Sequence, residues 1–138
     1  MVAEAHSSFE QVLKKCNSGL YAEVKYDGER LQLHKAGDNF TYFSRSLKQV
    51  PAHKTEHLRE YVKKAIPLAE SIILDGEILL YDTVKNCPLP FGTLGVHKKK
   101  NFKEATVCFM IFDCVYFNGT CLLNKPLQER RKIMEENI

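Results

Sequence analysis

The chain has 138 residues, 44% of them hydrophobic and 27% charged, with a formal net charge of +3. That balance suits one globular domain, excludes a disordered or low-complexity chain, and permits a nucleic-acid partner without requiring one. The longest apolar runs, Ile72–Leu74 and Val107–Phe112, fall far short of a bilayer, so no membrane partner is expected.

Phe9, Val12, Leu13 and Cys16 recur at helical spacing and predict a short amphipathic helix over 7–16, broken by Asn17-Ser18-Gly19. Period-two alternation then predicts a β-meander: a strand at 20–26, an Asp27-Gly28 turn, a strand at 30–35, a loop at Gly37-Asp38-Asn39 and a strand at 39–44. Leu58, Tyr61, Val62, Ala65 and Ile66 form a helical stripe over 52–65, stopped by Pro67. A long apolar strand at 71–81 is interrupted only by Asp75-Gly76-Glu77. Pro and Gly punctuate 84–104, which turns basic at His97-Lys98-Lys99-Lys100. A further strand covers 106–117, turned by Asn118-Gly119, and Pro126 opens a closing helix at 126–136. The fold class expected is α+β with mostly antiparallel strands. The closing helix runs into the chain end with no strand after it, which suggests a truncated sheet.

Cys16, Cys87, Cys108, Cys114 and Cys121 are odd in number and lack CxxC spacing, and MVAEAHSSFEQ lacks the apolar core of a secretory leader. They point to a reduced, intracellular protein without structural zinc.

The chemistry concentrates in Glu23-Val24-Lys25-Tyr26-Asp27-Gly28-Glu29-Arg30. On a strand, Glu23, Lys25 and Asp27 share one face, so Lys25 sits between two carboxylates. A lysine that loses its proton is a nucleophile, but two carboxylates alone hold that proton on. Attack therefore needs compensating positive charge nearby, from a metal ion or from basic phosphate ligands. The plain alternative for KxDG is a solvated hairpin. Arg45, in Ser44-Arg45-Ser46 at a strand end, is either a bidentate phosphate ligand or a surface arginine. Asp75 and Glu77 lie on one face of an apolar strand, where carboxylates cost several kcal/mol unless paired, hydrogen-bonded or bound to metal. Gly76 between them lets a backbone or a ligand come close. A lone Phe112 in an apolar strand is by default core, and Phe112 and Asp113 should face opposite ways.

KYDGER, SRS, LDGE and IFDCVYF, in that order, resemble motifs I, Ia, III and IIIa of the covalent nucleotidyltransferases. Among these the chain looks like the ATP-dependent DNA ligases, and FSRSLKQV and PLPFGTLGVHKKK are most similar to animal DNA ligase III and the poxvirus ligases. The resemblance covers about residues 18–133. It implies an ATP-grasp-like nucleotidyltransferase (adenylation) domain that uses ATP and Mg²⁺ and acts on nicked double-stranded DNA in repair, replication or recombination. Lys25 should take up AMP. Glu23 should accept from the adenine amino group, and Arg30 and Glu77 should contact the sugar, with Glu77 also serving the metal. Arg45 should reach phosphate and Phe112 should stack on adenine. Lys98, Lys99 and Lys100 are candidates for DNA phosphate contacts.

After Ile138 no EGxxxK-like motif IV, no lysine pair of motif V and no OB-fold follow. The resemblance thus describes the front portion of an adenylation domain, inactive or weak alone. A nuclear location is expected, with a mitochondrion or a cytoplasmic viral factory as alternatives. Two rival functions remain: an RNA ligase or GTP-using capping enzyme, and a non-catalytic nucleotide- or DNA-binding module.

Overall fold

In the computed structural model, which describes residues 4–16, 19–96 and 104–138, the alternating stretches build a six-stranded sheet. Its strands are β1 (Glu29–Ala36), β2 (Asn39–Ser44), β3 (Ser71–Asp82), β4 (Cys87–Pro88), β5 (Ala105–Phe117) and β6 (Thr120–Cys121). The order is β2-β1-β3-β5-β6 with β4 added to β3, and every pairing is antiparallel. Four helices accompany it among the described residues: α1 (Phe9–Lys15), α2 (Leu58–Ala65), α3 (Thr93–Val96) and α4 (Leu127–Asn137). The fold is α+β, as the sequence predicts.

The period-two pattern gives the sheet two unlike faces. Leu31 and Leu33 of β1 and Ile72, Leu74, Ile78 and Leu80 of β3 are all buried and join one core with Leu58 and Val62 of α2, Ile66, and Cys114 of β5. Full burial of each such side chain contributes about 1.5–3 kcal/mol. On the opposite face the alternate residues are Arg30 and Gln32 of β1 and Asp75 and Glu77 of β3. The sheet carries its polar chemistry there.

Several boundaries differ from the sequence expectation. Residues 20–27 form no strand and Asp27-Gly28 is no hairpin turn, because β2 and β3 already occupy both edges of β1. Gly28 serves another purpose: a Cβ there would lie 2.5 Å from the Ile78 carbonyl oxygen, so only glycine lets the chain come this close to β3. The predicted helix at 7–16 shrinks to α1, capped by Ser8, and its stripe is not buried: Phe9 is 63% exposed and Leu13 47%. The stretch at 52–65 splits into a 3-10 turn at Ala52–Lys54 and α2, with Tyr61 exposed. Pro126 stands at the N-cap of α4, just before its first turn. At Asn118-Gly119 both residues adopt positive φ, 41° and 88°, which suits the expected reversal between β5 and β6.

Candidate functional site

The polar face is built where β1, β3 and β5 run side by side. Directly opposed residues of an antiparallel ladder share a face. Arg30 stands across from Glu77, Gln32 across from Asp75, and Asp75 across from Asp113 on its other side. Two register shifts interrupt the β3–β5 ladder; at one, Asp75 pairs with Asp113 and Gly76 with Ile111, leaving Phe112 without a partner. This is a β-bulge, and it changes the aim of the side chains. Phe112 and Asp113 were expected to face opposite ways, yet both address Arg30. The Phe112 ring lies 5.1 Å from the Arg30 guanidinium carbon, and the Asp113 charge helps to hold Arg30 protonated.

Arg30 donates from Nε to Asp75 Oδ1 at 2.7 Å and from Nη2 to Asp75 Oδ2 at 2.6 Å. Asp75 is 9% exposed, so this bidentate pair supplies the compensation that a buried carboxylate needs. The same hydrogen bonds are the main cause of the raised Arg30 pKa, with the charges of Asp75, Glu77 and Asp113 adding to it. Glu77 accepts from the Gly28 backbone N–H through Oε2 at 2.9 Å; its Oε1 has no partner among the described residues. Asp113 is held by α4, where Arg130 donates to Oδ1 at 2.7 Å and to Oδ2 at 3.0 Å. Those bonds keep Arg130 firmly protonated.

Arg45 is exposed in the turn after β2. With Arg30, Gln32, Ser44, Leu47 and Asp75 it lines a cleft of about 160 Å³. Arg30, Arg45, Glu77 and Phe112, four of the residues singled out by sequence, thus gather around one stretch of sheet. Gly76 also allows a close approach, though by a neighbouring strand and not by a ligand: a Cβ there would meet the Met110 carbonyl oxygen at 2.5 Å.

Lys25 and Glu23 are placed differently. The shared strand face proposed for Glu23, Lys25 and Asp27 does not form, since the segment is irregular, and Lys25 is exposed with no hydrogen bond or ion pair among the described residues. Glu23 is engaged by Arg131 of α4, whose guanidinium donates to Oε1 and also lies 5.7 Å from the Tyr21 ring centroid. A strand bearing Lys25 therefore does not lie beside β3. The segment reaches β3 instead through the Gly28–Glu77 hydrogen bond. His97, Lys98, Lys99 and Lys100 lie outside the described residues.

Among the described residues, no group of three or more His, Cys, Asp or Glu side chains is placed to hold a metal ion. Asp75 and Asp113 are each spent on an arginine. One oxygen of Glu77 remains available. Sequence reasoning missed the roles of Arg130 and Arg131 altogether; the only sign of them was an adjacent arginine pair on a polar helix.

The whole chain, residues 1–138, matches the ATP dependent DNA ligase domain. It is 54% identical over 138 residues to the DNA ligase of Fowlpox virus (strain NVSL), covering all of this chain and 24% of that protein. With DNA ligase 3 of Dictyostelium discoideum it shares 49% identity over 138 residues, covering all of this chain and 12% of the other. Among solved structures, a mycobacterial DNA ligase D complexed with ATP and MES superposes with a TM-score of 0.64 at 29% identity, over 83% of this chain and 35% of that one. The chain therefore spans about a quarter of the length of the viral relative.

Proposed function

Because the chain belongs to the ATP-dependent DNA ligase domain family, we propose that it carries the adenylate-accepting lysine of a DNA ligase, Lys25, and the front part of the pocket that holds ATP. The observation that carries this reading is the convergence of Arg30, Asp75, Glu77 and Phe112 on one sheet face, tied to the Lys25 segment through Gly28. A flat aromatic ring beside a fixed guanidinium suits a purine and its ribose phosphate.

In the reaction, the neutral Lys25 amine attacks the α-phosphorus of ATP. An N–P bond forms, the bridging P–O bond to the β-phosphate breaks, and pyrophosphate leaves. The lysine proton passes to solvent. Arg30 orients the nucleotide while Asp75 keeps its guanidinium from rotating. Arg45, at the mouth of the same cleft, supplies positive charge where the phosphoryl oxygens gather it. Glu23 reads the adenine amino group through Oε2, the carboxylate oxygen that Arg131 does not hold among the described residues.

Mg²⁺ fits the donor set in a limited way. It takes one or two protein carboxylates and completes its shell with water and phosphate, and Glu77 offers one free oxygen. When bound, the ion neutralises phosphate charge and lowers the barrier to attack.

The wider activity is proposed for a protein that contains this chain: transfer of AMP to a 5′-phosphate at a nick in duplex DNA, then attack by the adjacent 3′-hydroxyl with release of AMP. Lys98, Lys99 and Lys100 are proposed to hold DNA phosphates. Replacing all three by alanine should lower the slope of log affinity against log salt by roughly 0.9 per lost contact.

The test is incubation with labelled ATP or GTP and recovery of a covalent protein–nucleotide adduct. Uptake from ATP, little from GTP, and none by Lys25→Arg is the expected pattern, since arginine keeps its proton. Uptake from GTP in preference to ATP would favour a capping-type enzyme.

A further inference from the structure

Between Gly19 and Gly28 the chain has no ladder partner among the described residues, and side chains supply the hydrogen bonds that tie it to the rest of the fold. The tethers lie on either side of Lys25. Downstream, the Gly28 N–H is held by Glu77 at 2.9 Å. Upstream, one residue supplies both contacts: Arg131 donates to Glu23 and lies over the Tyr21 ring. Its neighbour Arg130 grips Asp113 of β5 with two hydrogen bonds. Successive residues of a helix point about 100° apart, so the pair on α4 holds two different elements at once. One arginine clamps the helix to the strand that carries Phe112. The other clamps the Lys25 segment to the helix.

We infer that Arg131 is a positioning residue for adenylation: it fixes the segment bearing Lys25 relative to the Phe112 and Arg30 face. This rests on the reading of Lys25 as the nucleophile, but the tether itself is separable from it. Arg131 holds one oxygen of the Glu23 carboxylate and leaves the other for the nucleotide. Its contribution is to the rate of attack more than to the binding of ATP.

Hydrogen exchange on the full 138-residue chain reads the tether directly. In Arg131→Ala, amides of residues 20–28 should exchange faster by about tenfold, while those of α4 and β5 keep wild-type rates. The swapped pair Glu23→Arg with Arg131→Glu should recover most of the protection. With labelled ATP, Arg131→Ala should lower the adenylation kcat by about tenfold and move KM for ATP by less than about twofold, as misplacement of a reacting group does. Arg131→Lys, which keeps the charge, should fall between. Wild-type exchange over 20–28 in Arg131→Ala overturns the inference whatever the adenylation result. So does faster exchange spread equally over α4, because the residue would then act through the fold. Lys25→Ala separates the two readings: it should exchange as wild type and take no AMP. An adduct on that variant would remove Lys25 as nucleophile and leave the tether standing.

Discussion

Two regions share the proposed chemistry and are built in opposite ways. Arg30, Asp75, Glu77 and Phe112 sit on the β1–β3–β5 ladder, where β3 pairs over most of its length on both sides. Lys25 sits on a stretch without regular structure, exposed and tied down at a few points. The ladder gives precision, because a residue on a doubly paired strand moves only if the sheet moves. The tethered stretch gives freedom, which suits the role proposed for Lys25, attack on one phosphorus and later transfer of the AMP. The difference predicts that perturbations of the ladder cost stability, while perturbations of the segment cost rate.

The sharpest form of that contrast is a pair of glycines. A Cβ at Gly76 would lie 2.5 Å from the Met110 carbonyl oxygen and 2.6 Å from the Phe109 ring; one at Gly28 would lie 2.5 Å from the Ile78 carbonyl oxygen. The clashes are equal in distance but not in setting. Gly76→Ala, in the middle of the ladder, should destabilise by about 3 kcal/mol, read as a lower urea midpoint. Gly28→Ala can relax by displacing the segment and should cost only about 1 kcal/mol, yet it should lose most of its adenylation rate. Equal stability losses at the two positions would break the comparison.

Next in size is Arg30→Ala. It leaves the Asp75 carboxylate, 9% exposed, without its partner. A fully buried pair broken this way costs more, but Arg30 is half-exposed and water can enter, so about 2 kcal/mol is expected. The paired change Arg30→Met with Asp75→Leu should recover much of that stability and none of the nucleotide binding. Failure of the double variant to recover would mean that the pair does more for the ladder than satisfy a charge.

The smallest effect belongs to Val24→Ser. Val24 is 72% exposed beside Lys25, so the change should alter the unfolding free energy by less than about 0.5 kcal/mol. A loss above about 1 kcal/mol would mean that the segment packs more tightly than its exposure indicates.

How far the molecule was legible in its sequence follows the same division. The strand at 39–44 was readable from period-two alternation, which a sheet with one buried face imposes, and those at 71–81 and 106–117 were readable as long apolar runs bounded by turn residues. The same alternation at 20–26 misled. Glu23, Lys25 and Asp27 alternate with Val24 and Tyr26, but pattern says nothing about whether a ladder position is free, and β1 has none to offer. Asp27-Gly28 read as a turn for a similar reason, since local composition cannot reveal that Ile78 lies against the glycine. The bulge that turns Phe112 toward Arg30 depends on β3–β5 register, a long-range property. Arg130 and Arg131 were invisible because their partners, Asp113 and Glu23, lie 17 and 108 residues away in the chain.

The most direct test of the account is to find where AMP becomes attached. After incubation with ATP and Mg²⁺, proteolysis and tandem mass spectrometry should place an adenylyl group on the Lys25 side chain, as an acid-labile phosphoramidate that hydroxylamine removes. Arg30→Ala and Phe112→Ala should reduce the yield without moving the site. An adenylyl group on any other residue, or an unchanged yield in both variants, would contradict the claim that this sheet face serves that lysine.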